Sequence, residues 1–311
     1  MRSRDLEVFE ALGCASPREP SSERASVWTL ERAVASLRRA RDATSIRHRG
    51  RIHEMPSRAA MHDVVGGLAA VLFPTHLGRT DLTEETVDYF VGSTLHTTMT
   101  QLSEQARRAL FFSSDASDVQ DAALRRRARR ITEEVVESLP DVRRLLVSDL
   151  EAAHEADGAA ASLAEILVCS TGMYAVLHHR IAHVLHRAGL PFLARLVTEI
   201  GYAETGVYIH PGAVIGPRFL VDRGTGVVIG ETATVGANVR IHQGVTLGTL
   251  DGAPSDTRHH PRVEDDVVIH AGATLLGPIT IGARSTIGGN VWLTESVRAG
   301  SVVTQAAARG D

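Results

Sequence analysis

Aliphatic residues fall on every sixth position through the C-terminal third of the chain: Val263, Ile269, Leu275, Ile281, Ile287 and Leu293. An earlier run, Ile229, Val235, Ile241 and Leu247, keeps the same spacing, and Ile209, Ile215 and Val221 precede it. Small residues follow many of them, as in Ile215-Gly216, Ile229-Gly230, Leu247-Gly248 and Ile281-Gly282. Neither an α-helix nor an alternating strand has a period of six. The pattern therefore predicts a repeat in which each unit is a short strand and a corner, with three units closing one triangular coil. One coil cannot cover its own aliphatic residues, but stacked coils bury them as a continuous column, and a small residue at the corner lets the chain turn tightly. An antiparallel β-domain with glycine turns is the competing reading. It accounts poorly for a fixed register, because its strands and loops vary in length.

The register breaks twice. It slips by two residues between Val221 and Ile229, and between Leu247 and Val263 it carries an excursion, residues 249–261, rich in Asp, Gly, Pro and His. A loop extruded from a rigid coil is a common place for a binding site. Upstream, from about Arg58 to Leu190, the period becomes helical. Met173, Leu177, Ile181 and Val184/Leu185 make one apolar stripe on a helix that ends near Gly189-Leu190-Pro191, and similar stripes run through Val64 to Phe73 and Ile131 to Leu146. The fold class expected is α+β: an irregular N-terminal extension over 1–57, an α-helical domain over 58–200, a left-handed parallel β-helix over 201–303 and a short tail over 304–311.

Composition narrows the function. A chain of 311 residues with 43% hydrophobic content can bury two cores. The formal net charge of −4 argues against a nucleic-acid footprint. The basic run Arg125 to Arg130 is followed by Glu133, Glu134 and Glu137 without interleaved aromatics, so it reads as a solvated helix face. Cys14 and Cys169 lack metal-ligand spacing, and a reduced, cytoplasmic setting is expected. The N-terminal region holds no apolar stretch suited to a signal peptide or a membrane span. Without HExxH, paired cysteines or a phosphate-binding glycine loop, metal, nucleotide-hydrolysis and hydride chemistry have no support in the sequence.

The order of parts and several strings carry a resemblance. Ile209-His210-Pro211-Gly212, the run Gly224 to Thr232, Gln243-Gly244-Val245-Thr246-Leu247-Gly248, His260-Pro261 and the run Gly288 to Thr294 resemble the serine O-acetyltransferases of the longer bacterial type. Leu72-Phe73-Pro74 and the run Asp149 to His154 extend the likeness upstream, so that it covers roughly residues 58 to 303. The resemblance implies acetyl transfer from acetyl-CoA to the hydroxyl of L-serine or a related small amino acid, on the way to cysteine. It also implies a homotrimer or hexamer with its active sites between neighbouring coils, no metal, and no nucleic-acid or membrane partner. Docking to cysteine synthase by a C-terminal isoleucine tail is not expected from a sequence ending Ala308-Arg309-Gly310-Asp311.

Matched residue by residue, Asp157 and Asp222 stand where the family contacts the amino acid, and His260 where it keeps a pocket histidine. Thr246, Gly248 and Ala271 stand where the coil wall meets CoA. Each of these also suits a structural role: a helix end for Asp157, a coil corner for Asp222, a tight coil for the other three. Three positions depart from the pattern. Arg223 occupies the place of the general-base histidine, Tyr208 that of the aspartate orienting it, and His259 that of an arginine. A guanidinium cannot accept a proton at neutral pH, whereas a tyrosine can lie against its face. The changes suggest an exchange of roles, in which Arg223 anchors the substrate carboxylate and His259 or His260 supplies the base. Aligning Arg258 with the family's arginine would remove that exchange. His210 belongs to the family string, His242 and His270 sit at second positions of hexads, where a side chain faces outward or into the subunit groove, and His178, His179, His183 and His186 are expected on a helix surface. The alternative function is a non-catalytic paralogue serving as an oligomeric scaffold or regulator; a sugar-nucleotide acyltransferase fits the helical domain less well.

Overall fold

The computed structural model describes residues 30–43, 55–113, 121–158, 160–250 and 259–305. Two compact units are present, one within Met1–Ile52 and one from His53 onward. In the first, Leu30–Ala43 forms helix α1, with Leu30, Val34 and Leu37 exposed on it. This helix lies inside the stretch read as irregular. Its apolar positions Leu30, Val34 and Leu37 are spaced by four and three, but they are outnumbered by the arginines of the same helix.

The second unit begins with helices α2 (Arg58–Leu72), α3 (Val87–Phe112), α4 (Asp121–Ala156), α5 (Leu163–Cys169), α6 (Thr171–Arg187) and α7 (Pro191–Thr205), with a π-turn at Pro74–Gly78. Local chemistry explains their ends. Ser57, Ser162 and Ser170 cap α2, α5 and α6 by accepting the N–H groups of Ala60, Glu165 and Met173. Gly189 and Gly206 take left-handed φ values of 80° and 68° just beyond α6 and α7, and Pro191 opens α7. The last helix runs to Thr205, past the boundary near residue 200 expected from the sequence. The arginines of the 125–130 run are exposed, and Arg125 and Arg129 pair with Asp121 and Glu133 one turn away.

The chain then winds into a parallel solenoid with three faces. Sheet 1 stacks β1 (Tyr208–Ile209), β4 (Val228–Ile229), β7 (Thr246–Gly248), β10 (Thr274–Leu276) and β13 (Trp292–Leu293). Sheet 2 stacks β2 (Val214–Ile215), β5 (Thr234–Val235), β8 (Arg262–Val263) and β11 (Thr280–Ile281). Sheet 3 stacks β3 (Leu220–Asp222), β6 (Arg240–His242), β9 (Val268–Ile269), β12 (Thr286–Ile287) and β14 (Val302–Val303). The hexad residues from Ile209 to Ile287 stack in register and are buried, Ile229 over Leu247 and Ile241 over Ile269. The fold class is the one expected: helices followed by a hexapeptide-repeat β-helix. A second inward set lies two residues before each of these, including Val207, Phe219, Val227, Val239, Val245 and Val267. Each corner thus buries two side chains rather than one.

A buried ion pair joins the helical domain to the first coil. Arg180 on α6 grips Asp149 on α4 through two hydrogen bonds of 3.1 and 3.0 Å and donates to the carbonyls of Ile215 and Gly216. Asp149 in turn accepts the Phe219 N–H at 2.8 Å. This packing corrects the expectation for the α6 histidines. His178 and His179 are buried and His183 and His186 half-buried, because α6 is covered by α4, α7 and the first coil rather than by water. Among the described residues no helix is long and apolar enough to cross a membrane.

Candidate active site

The two-residue slip after Val221 is a widened corner. Arg223 and Gly224 both take left-handed φ, 60° and 70°, and Gly224 N–H closes onto the Asp222 carbonyl at 2.7 Å. A Cβ on Gly224 would meet Val221 and Val207 side chains at 2.5 and 2.8 Å, so this place in the corner requires glycine. The result pushes Arg223 outward into a cleft of about 500 Å³ beside the C-terminus of α4. Asp157, Asp222, Arg223 and Arg240 line it together. Asp222 Oδ2 accepts from Arg240 Nη2 at 2.5 Å and lies 3.5 Å from His242 Nδ1.

The other candidates stand elsewhere on the prism. Arg223 marks the edge between sheets 3 and 1, whereas His259 and His260 close the excursion at the edge between sheets 1 and 2 and do not line the cleft. His260 is buried over Gly230, where a Cβ would come within 1.9 Å of its ring. The Thr232 hydroxyl accepts the backbone N–H groups of His259 and His260, each at 3.1 Å. Its own proton then goes to His260 Nδ1 at 2.8 Å, and the Thr232 N–H reaches the same nitrogen at 3.2 Å. Nδ1 is therefore an acceptor, and the network places the ring proton on Nε2. Burial, reinforced by the neighbouring His259 ring 4.4 Å away, holds this imidazole below its ordinary pKa. As folded, His260 is a neutral hydrogen-bond donor. That geometry works against the base role expected for it.

Tyr208 packs edge-on against Tyr202, 5.9 Å between centroids, and burial followed by Glu199 raises its phenol pKa. The guanidinium that lies over an aromatic ring among the described residues is that of Arg143, over Phe73, so Tyr208 does not take the stacked position against Arg223. Thr246 and Gly248 lie on β7, and Ala271 follows β9 at the edge that carries Arg223. Gly248 lies against the end of the Leu276 side chain, which a Cβ there would meet at 2.9 Å. Arg258 and the middle of the excursion, the tail 306–311 and Cys14 lie outside the described residues.

Sequence reasoning passed over Thr232, Arg240 and any partner for His242. Thr232 ends the run Gly224 to Thr232 and carries no local sign of a role, because its partner, His260, lies 28 positions later. Arg240 and His242 are one coil above Asp222, and their pairing follows from β3–β6 register. No metal-binding group of His, Cys, Asp or Glu occurs among the described residues.

Comparison with known proteins agrees with this architecture. A family model described as bacterial transferase hexapeptide (six repeats) matches residues 260–295. The chain is 45% identical over 308 residues to a serine acetyltransferase, plasmid, of Synechococcus elongatus, covering 95% of this chain and 97% of that one. It is also 45% identical over 145 residues to the Bacillus subtilis serine acetyltransferase, covering 47% and 66% of the two chains. Among solved structures it resembles Entamoeba histolytica serine acetyltransferase isoform 3 in complex with cysteine, at 28% identity and a TM-score of 0.68 over 88% of this chain and 91% of that one. The Neisseria gonorrhoeae serine acetyltransferase in complex with serine is 27% identical, with a TM-score of 0.52 over 79% and 94%. A match of such depth from end to end leaves one assignment: the chain belongs to the serine acetyltransferase family and is an O-acetyltransferase of that type.

Proposed function

We propose that the protein transfers acetyl from acetyl-CoA to the hydroxyl of L-serine in the cleft where Asp157, Asp222 and Arg223 meet. The observation that carries this reading is that convergence. Asp157 and Asp222 beside the guanidinium of Arg223 match the ammonium and carboxylate of an amino-acid zwitterion, with Glu165 and the Arg240 that already pairs with Asp222 completing the charged lining of the cleft. Amino acids are also what the similar Entamoeba and Neisseria structures hold. Arg223 takes the carboxylate, Asp157 and Asp222 face the ammonium, and Thr246, Gly248 and Ala271 form the wall for the acyl donor. A neighbouring copy in a homotrimer or hexamer then brings His259 and His260 of its own edge towards this cleft, where His260 Nε2–H donates to an oxygen of the substrate or the developing oxyanion. The activity belongs to cytoplasmic cysteine formation.

The test is thiol release from acetyl-CoA against serine, homoserine, threonine and diamino acids. Serine is expected to be preferred, and Arg223→Ala to raise its KM by about 10–100-fold, the loss of one charge-assisted fork, with the KM for acetyl-CoA little changed. Binding of CoA without turnover on any acceptor would overturn the reading in favour of a scaffold.

A further inference from the structure

The transfer needs a group that takes the hydroxyl proton. Arg223 has no lone pair for it, and His260 presents a protonated Nε2. Sheet 3 carries another imidazole beside the cleft. Asp222 on β3 pairs in register with His242 on β6, and His270 follows β9 on the next rung. His242 Nδ1 lies 3.5 Å from Asp222 Oδ2, the oxygen that Arg240 holds at 2.5 Å. The His242 and His270 rings stack 5.0 Å apart at 18°.

These side chains run beside one edge of the prism. There Gly244 N–H bonds the Thr225 carbonyl, Gly272 N–H that of Gln243, and Asn290 N–H that of Ala271. Arg223 stands at the foot of the edge and Ala271 two rungs above it. With strands about 4.8 Å apart, His242 is one rung from the acceptor cleft and one from the wall assigned to the acyl donor.

We propose that His242 is the general base of the acetyl transfer and that Asp222 orients it, an inference that rests on the serine-acetylating reading above. The carboxylate beside Nδ1 keeps the ring proton on that nitrogen and leaves the Nε2 lone pair open. Nε2 takes the serine hydroxyl proton as the hydroxyl oxygen bonds to the thioester carbonyl carbon. The carbon–sulfur bond then breaks with its electron pair on sulfur, and the imidazolium returns the proton to that sulfur, leaving the acetyl ester, free CoA thiol and neutral His242. The titratable groups facing the ring are Asp222 from β3, Arg240 from its own strand and His270 from the rung above. Burial holds the imidazole below its ordinary pKa; Asp222 opposes that effect, while Arg240 and His270 add to it, so the ring is neutral and able to accept at pH 7.

Thiol release with serine by the full chain, compared with His242→Gln and with His96→Gln on exposed α3, tests this. His242→Gln should lose about 10²–10⁴-fold in kcat while still binding CoA, His242→Ala should regain part of its rate with added imidazole, and His96→Gln should match the unaltered chain. A His242→Gln chain within threefold of the unaltered kcat would overturn the assignment while leaving the acetyltransferase reading intact. An unaltered chain without turnover would remove both, which separates the two failures. Should His242→Gln lose CoA binding through misfolding, the acid limb of kcat decides: Asp222→Asn should move it to lower pH, and an unmoved limb would overturn the proposal.

Discussion

At position 223 the backbone sits at φ 60° on a residue with a Cβ, a conformation that costs roughly 1 kcal/mol for an ordinary side chain. The same left-handed φ recurs at Arg218, Asn238, Asp266, Arg284 and Asn290, so it is a property of the coil's corners, and at 223 the corner also sets the guanidinium in the lining of the cleft. Arg223→Gly is therefore expected to leave stability unchanged or raise it by up to about 1 kcal/mol, while the KM for serine rises at least tenfold. Denaturant unfolding and thiol-release kinetics on the same variant check the two halves. Gly230 presents the opposite case. Its hydrogen faces the His260 ring, and Gly230→Ala would drive a methyl into it at 1.9 Å, expelling the ring from Thr232 at a cost of about 1–3 kcal/mol. Urea unfolding should show that loss, and a variant as stable as the unaltered chain would mean the ring is not held there. Sequence alone marked Asp157, Asp222 and Arg223 as candidates, because they lie in or beside recognisable strings. It did not show that Asp222 is already held by Arg240, or that Thr232 fixes the His260 tautomer, since both contacts join residues 18 and 28 positions apart.

Between elements, the buried Arg180–Asp149 pair ties α4 and α6 to the first coil. Burial pushes the Asp149 carboxyl up to about 6 against the pull of Arg180 and the backbone N–H groups, so the carboxylate depends on its partner. Arg180→Met would leave it unpaired and strip donors from the carbonyls of Ile215 and Gly216. The expected loss is about 3–5 kcal/mol, read as a shift in the unfolding midpoint. At this scale the helical stripe from Met173 to Leu185 and the six-residue period were both readable, since each records which side of an element faces the core. The burial of His178 and His179 was not. A polar residue on a helix reads as surface unless a second element covers it, and that cover here is α7 packed on α6.

For the whole molecule those same imidazoles set a pH dependence. Burial lowers the pKa of His178 and His179 below the ordinary 6.5. Below that pH the unfolded chain binds protons that the folded chain refuses, so their contribution is complete above about 6.5 and is lost as pH falls towards the folded values. The slope is up to about 1.4 kcal/mol per pH unit for each ring. Asp149, raised to about 6, works in the other sense between about 6 and its unfolded value near 4, one group against these two and the likewise lowered His183, His210, His242 and His260. Urea midpoints at pH 8, 7, 6 and 5 should therefore fall on acidification, and a rise between pH 7 and 6 would contradict the burial of both rings.

Periodicity by itself determined the solenoid: a spacing of six is local, is repeated at every coil and admits few other ways to bury an aliphatic column. Short strings near the corners likewise determined which family the coil resembles. Tertiary structure decided everything that depends on how coils stack and helices cover them. It set Arg223 and the His259–His260 pair on different edges of the prism, turned His260 into a donor, and brought Asp222, His242 and His270 onto consecutive rungs. Register between strands 20 and 28 residues apart creates those neighbours, and the linear order of residues carries no local mark of it.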